Sequence, residues 1–390
     1  MKKIVFFAHP LFLGSQSMPR FVEMLADGMK KRGYDIEIWR PEARVSSIKV
    51  PGLQKWLGYI DQYLFFPQLV RKKLRKETGD VLYVITDHAL GPYVPLIAKK
   101  PHVIHCHDFL AQRSALGEIP ENVTSASGKA YQKFIKRGYI QGKNFISVSE
   151  KTRADLKEFL NKSADRSEMV YNGLNSSFKP VDSISGVRKE LTDRFTIDLT
   201  KGYILHVGGN QWYKNRVGLI DIYDYWRKNY KGKYPLILIG NQPNSDLQKR
   251  YEQSAYKENI HFLKNVSDVD VRMAYAGASV FVFPSLAEGF GWPVAEAMAS
   301  GTLVITTNEA PMLEVAGDAA FLINRKPFAK EKAEQWAIDS AQVLHEALTL
   351  DPATHAMWIK KGSRNVERFK LDDALDSIEK IYSGILNNNS

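Results

Sequence analysis

The chain alternates short apolar runs with helix-length segments, and it does so in two successive series. In the first, residues 4–8, 36–39, 81–85, 102–105 and 145–148 read as short strands, with helix-length segments between them. Phe21, Leu25 and Met29 recur at helical spacing ahead of Gly33, completing the first strand-loop-helix unit. The pattern restarts near residue 202, with 203–207, 236–239, 261–263, 280–283 and 303–306 as further strands. Repeated β-α order requires parallel sheets covered by helices on both faces, so two α/β domains of doubly wound, Rossmann-like type are predicted. Residues 180–200 lack a strong strand signal, which puts the boundary near 185, with one domain over 1–185 and the next over 186–370. Beyond residue 331 the chain reads as almost wholly helical, with Asp351-Pro352 as a cap and first-turn pair.

Composition narrows the class. A chain of 390 residues that is 44% hydrophobic and 25% charged is neither disordered, collagenous nor coiled-coil. The lone Cys106 excludes an intramolecular disulfide, and no Cys/His cluster has zinc spacing, which points to a reducing, cytoplasmic compartment. The start of the chain imitates a signal peptide, but His9 and Pro10 interrupt the apolar run too early. No apolar stretch approaches the about 20 residues of a membrane span, so membrane contact is expected to be peripheral, at the inner face.

Charge is uneven. Residues 1–180 hold 29 Lys and Arg against 17 Asp and Glu, a net +12, while the remainder is −1. Such a basic half suits an anionic membrane, a phosphorylated lipid or a nucleic acid, with a solvated basic surface as the alternative. Trp56, Tyr59, Tyr63, Leu64, Phe65 and Phe66 run into the basic stretch 71–76, a combination found in interfacial helices and equally in a core-facing helix with a solvated end.

The chemistry concentrates after the strand at 280–283. Residues 284–292 form a loop containing Glu288, Gly289, Phe290 and Gly291, and Pro293 then opens a helix stopped by Gly301. Ligands of open α/β sheets bind beyond the carboxyl ends of strands, where glycines at a helix N-terminus let amides and the helix dipole hold an anion. Gly289, Phe290 and Gly291 are therefore a candidate phosphate cradle. Glu288 precedes it and Glu296 lies one turn inside the helix, and carboxylates accept hydrogen bonds from hydroxyls. A ligand that is both phosphorylated and rich in hydroxyls is a sugar nucleotide.

The stretch from Glu288 through Ala299 closely resembles the E-x7-E signature of family 4 retaining glycosyltransferases of the GT-B fold. The resemblance implies that Glu288 lies at the donor sugar, that Glu296 binds the ribose, and that Gly289, Phe290 and Gly291 contact the sugar or diphosphate. Residues 207–215 resemble the family's glycine turn and lysine loop, which assigns Gly209 and Asn210 to the donor and Lys214 to the diphosphate. The sequence departs from the family at Gly209 and Tyr213, either of which is often Arg in relatives, leaving Arg216 as a weak substitute for the second cation. Asn215 reads as a helix cap. His105-Cys106-His107-Asp108 resembles the active-site histidine segment, with His107 at the sugar or acceptor hydroxyl, and Gly14 matches a first-loop glycine near the donor.

By the same resemblance, residues 371–390 form a helix that returns to the N-terminal domain. The expected activity is metal-independent, retaining transfer of a hexose from a UDP- or GDP-sugar to a glycan or lipid-linked acceptor in cell-surface polysaccharide assembly. His107, Glu288 and Lys214 carry the chemistry, no cofactor beyond the donor is expected, and no nucleic acid partner is expected. A phosphorylase using inorganic phosphate is the alternative, and a nucleic-acid-binding protein a remoter one. Asp268-Val269-Asp270 imitates a metal-binding D-x-D motif but precedes an apolar helical pattern, so Ser267 or Asp268 is expected to be an N-cap.

Overall fold

The computed structural model describes residues 2–14, 17–48, 52–160 and 163–387. Two compact units emerge: Met1–Ile119, Val123–Tyr171 and Asp372–Ser390 in one, Pro120–Asn122 and Asn172–Leu371 in the other. The first holds β1 (Lys3–Phe7), β2 (Asp35–Trp39), β3 (Val81–Ile85), β4 (His102–Cys106), β5 (Asn144–Ser147) and β6 (Arg166–Met169), all parallel, in the order β2-β1-β3-β4-β5-β6. The second holds β7 (Ile204–Val207), β8 (Leu236–Ile239), β9 (Ile260–Leu263), β10 (Val280–Phe283), β11 (Val304–Thr307) and β12 (Phe321–Ile323), again all parallel, in the order β12-β11-β10-β7-β8-β9.

Every residue of β3, β4, β8 and β10 is buried, as expected where helices cover both faces of a sheet and the strands read as unbroken apolar runs. Two edge strands depart from that pattern. β6 has the sequence Arg-Ser-Glu-Met, and charge on an edge is how a sheet discourages pairing with a further chain. β12 is only three residues long.

Apart from the brief excursion at Pro120–Asn122, the chain passes from the first unit to the second between Tyr171 and Asn172, where the sequence suggests a boundary near 185. The chain after β6 already belongs with the second unit, where Leu174 N–H donates to the carbonyl of Phe369 at 2.6 Å. The helix Leu371–Asn387 belongs with the first unit from Asp372 onward, burying Leu375, Ile378, Ile381, Tyr382, Ile385 and Leu386. Tyr382 shares a 2.6 Å hydrogen bond with His105 Nε2, and the hydroxyls of Tyr34 and Ser383 meet at 2.9 Å.

Helix starts follow local chemistry. Ser149, Ser183, Asn244 and Ser267 each accept a main-chain N–H near the start of the helix that follows, and Asp351 accepts two, from Ala353 and Thr354. Among the described residues no helix is long and apolar enough to cross a membrane.

Candidate functional site

Strand order fixes where each unit can bind a ligand. In the second unit the chain runs from β7 outward to β8 and β9, then returns to the other side of β7 with β10, so the loops after β7 and β10 diverge and open a crevice between them. Those loops carry Lys214 and Glu288, and the two side chains meet: Lys214 Nζ lies 2.7 Å from Glu288 Oε1. Ser285 Oγ donates to the same oxygen at 2.7 Å. The Lys214 ammonium also lies over the rings of Phe283 and Tyr213, 4.8 and 5.3 Å from their centroids. Leu286 N–H donates to Tyr213 O at 2.7 Å, and Asn215 Nδ2 donates to Pro284 O at 3.0 Å, so the main chains of both loops are fastened together.

The β10 loop ends at Gly291, whose φ of 109° belongs to glycine, and Trp292–Ala299 follows as a helix with Pro293 in its first turn. Glu296 sits one turn in, where Tyr275 donates its buried hydroxyl to Oε2 at 2.9 Å. Burial first and the Glu296 carboxylate second hold the Tyr275 phenol well above its ordinary pKa, so it stays a donor. Phe290 is 4% exposed and packs edge-on against Phe369 and Trp292, so any part it takes in binding is through its main chain.

The β7 loop differs from expectation in two side chains. Asn210 accepts from Arg216 and donates to Gln242 O, so its half-exposed side chain is tied to the neighbouring turn. Arg216 is buried, with Nη1 donating to Asn241 O at 2.9 Å and the guanidinium 5.4 Å from the Phe262 centroid; burial lowers its pKa to about 10. Its charge braces the turns after β7 and β8, a different job from pairing with Lys214 at the diphosphate. Gly240, at φ 149°, closes that brace: a Cβ there would stand 2.0 Å from Gly208 O. A Cβ on Gly209 would meet the side-chain ends of Gln211, Oε1 at 2.6 Å, and of Asn241, Oδ1 at 2.8 Å, which would have to swing aside. Asn215 caps the helix Arg216–Tyr230 by accepting from Gly218 N–H, as its sequence position predicts.

The first unit repeats the logic. β1 lies between β2 and β3, so the loops after β1 and β3 diverge. They carry His9 and Asp87, with His9 Nε2 2.9 Å from Asp87 Oδ2. His88 Nδ1 approaches Asp87 Oδ1 to 3.1 Å, and Ala89 N–H donates to that same oxygen. Burial alone would raise the Asp87 pKa, but the His88 and His9 imidazoles outweigh it and hold the carboxyl well below its usual range.

His107, just beyond β4, bonds through Nε2 to Thr86 O at 2.9 Å, and a carbonyl can only accept, so Nε2 carries the proton and Nδ1 is left as the acceptor of the neutral ring. Burial lowers the His107 pKa against the pull of Asp87, favouring that neutral form. Phe21 packs edge-on at 4.5 Å. Gly14 ends a short 3-10 turn at φ 70°.

His105 is buried on Tyr382 with its pKa lowered by burial to about 3, and Cys106 is fully buried, so both are packing residues. Ser267 caps the helix Asp268–Gly277, its hydroxyl donating to Asp270, whose carboxylate also pairs with Arg194. The His9–Asp87–His88 cluster was missed in the sequence. The available signal was a polar triplet, Thr86-Asp87-His88, directly after a wholly apolar strand.

Two doubly wound sheets, each with charged and hydrogen-bonding side chains gathered at its switch point, define a two-domain α/β protein with a polar crevice in each unit. Residues 187–364 match the model of the glycosyl transferases group 1, and residues 18–178 that of glycosyltransferase family 4. The O-antigen chain mannosyltransferase RfbU of Salmonella typhimurium is 28% identical over 328 residues, covering 83% of this chain and 81% of that protein. O-antigen chain mannosyltransferase B of Escherichia coli is 27% identical over 245 residues, 62% of this chain and 64% of that protein. The solved structure of WaaG, a glycosyltransferase involved in lipopolysaccharide biosynthesis, superposes with a TM-score of 0.74 at 17% identity, covering 98% of this chain and 100% of that one, a likeness of fold. The chain belongs to the family 4 glycosyltransferases and has the GT-B fold.

Proposed function

We propose that the protein transfers a hexose from a nucleotide diphosphate sugar to a glycan or lipid-linked acceptor in cell-surface polysaccharide assembly. The observation that carries this reading is the Lys214–Glu288 pair across the switch point, with Glu296 one turn into the adjoining helix. Lys214 and the helix N-terminus meet the diphosphate, Glu296 takes the ribose hydroxyls, and Glu288 takes a hydroxyl of the sugar. His107 presents Nδ1 to a sugar or acceptor hydroxyl. Mannose is the sugar in the names of both relatives and is the first donor to try, as the UDP and GDP derivatives. Transfer by relatives of this kind also disfavours a phosphorylase.

Retention of anomeric configuration is part of the proposal, with the leaving phosphate oxygen taking the acceptor proton. So is independence from a divalent metal, since Lys214 and the Trp292–Ala299 helix supply positive potential where the diphosphate lies. A thermal-shift screen of UDP, GDP, ADP and their sugars identifies the donor. Turnover in EDTA, with the product anomer read by NMR, then tests both features. An inverted product removes the first, and metal-reversible inhibition by chelator removes the second.

Attachment to an anionic membrane face belongs to the same reading, in a revised form. Phe66 is buried and Tyr63 half-buried, so neither anchors. Leu53, Trp56, Ile60 and Leu64 are instead exposed, spaced to share one helical side, with Lys72, Arg75 and Lys76 exposed further along.

A further inference from the structure

The second unit contains a cavity of about 360 Å³ whose walls include Glu121, Trp212, Arg216, Asp246, Lys326 and Phe328, but not Lys214, Glu288 or Glu296. Two of its wall residues hold buried polar atoms with unmet hydrogen-bonding capacity. Arg216, 4% exposed, uses Nη1 on Asn210 and Asn241, while Nε and Nη2 have no partner among the described residues. Glu121 takes Arg325 on Oε1 at 2.6 Å, while its buried Oε2 has no partner among the described residues. Unmet donors and an unmet acceptor on residues bordering one cavity are costly unless something supplies their partners.

The ligand must suit four further facts. The wall charges cancel, since Arg216 and Lys326 face Glu121 and Asp246, and Lys326 is already paired with Asp221 at 2.8 Å. A phosphate would meet two carboxylates there. Trp212, Pro327 and Phe328 add apolar faces, and Phe328 is left 64% exposed. The volume lies within the range of small-ligand sites. A sugar ring meets all of this, because each hydroxyl both donates and accepts while its C–H face packs on aromatic rings.

We propose that this cavity is a saccharide subsite, lined by none of Lys214, Glu288 and Glu296, that holds a neutral segment of glycan. The glycosyltransferase reading contributes only the choice of saccharide probes.

The indole N–H resonance of Trp212, assigned with Trp212→Phe, reports on the wall directly. Short manno- and gluco-oligosaccharides, inorganic phosphate, UDP and GDP are titrated into the full chain. The expected result is a saturable shift with an oligosaccharide, none with phosphate, and affinity about five- to tenfold weaker in Phe328→Ala, an exposed site whose truncation spares the core. Glu121→Gln, which changes a carboxylate to an amide without changing shape, weakens it as well. No shift with any oligosaccharide, a shift with phosphate alone, or undiminished affinity in Phe328→Ala overturns the subsite. Oligosaccharide binding without nucleotide binding would keep the subsite while removing the transferase reading, so the two fail separately.

Discussion

Lys214 Nζ and Glu288 Oε1 are 2.7 Å apart, with only 13% and 10% of their side chains exposed. The cation proposed for the diphosphate is thus already matched by the carboxylate proposed for the sugar, and the donor must engage both ends of an existing ion pair. Glu288→Gln keeps the shape and a place for the Ser285 hydroxyl but drops the charge. We expect turnover to fall by about a hundredfold with nucleotide affinity little changed, because a free nucleotide lacks the sugar. Lys214→Ala should weaken nucleotide diphosphate binding and turnover together, leaving Glu288 as an unpaired carboxylate. Steady-state kinetics beside calorimetric nucleotide binding separates the two patterns, and ordinary kinetics in Glu288→Gln would contradict its role.

Glu296→Ala should weaken free nucleotide and sugar nucleotide alike, since both carry ribose, by about 1.5–3 kcal/mol for a charge-assisted bond. Tyr275→Phe leaves the carboxylate in place but removes the hydroxyl that fixes Oε2, and a smaller loss of about 1 kcal/mol follows. Unchanged affinity for the nucleotide in Glu296→Ala would end the ribose assignment.

Acid should destabilise the first unit through His105. Its folded pKa is about 3 against an ordinary 6.5, so between those values the unfolded chain binds the extra proton and stability falls as pH falls. One such group contributes a slope of about 1.4 kcal/mol per pH unit inside that window. His206, buried in the second unit with a pKa also near 3, acts in the same direction. His105→Asn cannot titrate, so its denaturant stability should depend on pH less steeply than that of the unaltered protein between pH 6 and 4. Equal slopes would mean that His105 is protonated in the folded state.

Sedimentation with vesicles tests the membrane proposal. Binding to anionic vesicles should exceed binding to zwitterionic ones and decline with salt, at about 1 kcal/mol for each basic residue near the surface. Lys73 is a poor probe, because it pairs with Glu37 at 2.6 Å and lies over Trp39. Lys72→Glu with Lys76→Glu should weaken attachment through charge, and Trp56→Ser through insertion. Equal binding to both vesicle types, or none to either, would leave the basic half as a solvated surface.

What the sequence disclosed depended on how local each feature was. β3 and β10 are unbroken apolar runs because their burial is two-sided, and the loop with Glu288 and Gly291 is continuous in sequence, so both were legible. β6 was not, since an edge strand of Arg, Ser, Glu and Met has the composition of a loop and is a strand only through its pairing with β5. His9 and Asp87 stand 78 residues apart, and only the strand order, with β1 beside β3, brings them to one place. Asn210 and Arg216 were assigned by loop position, but their side chains are committed to the neighbouring turn, a choice made by tertiary contacts that no spacing encodes.

The helix Leu371–Asn387 also sets an order of events during synthesis. Residues 172–371 form one uninterrupted stretch of the second unit, which can gather nearly all of its strands and helices while translation continues. The first unit, although it leaves the ribosome earlier, lacks the helix that buries Tyr382 on His105 and covers its side chains with Leu375, Ile378 and Ile381 until residues 372–387 have emerged. An exposed apolar seam therefore persists on the nascent first unit throughout the synthesis of the second, and the unit begun first is the last to close.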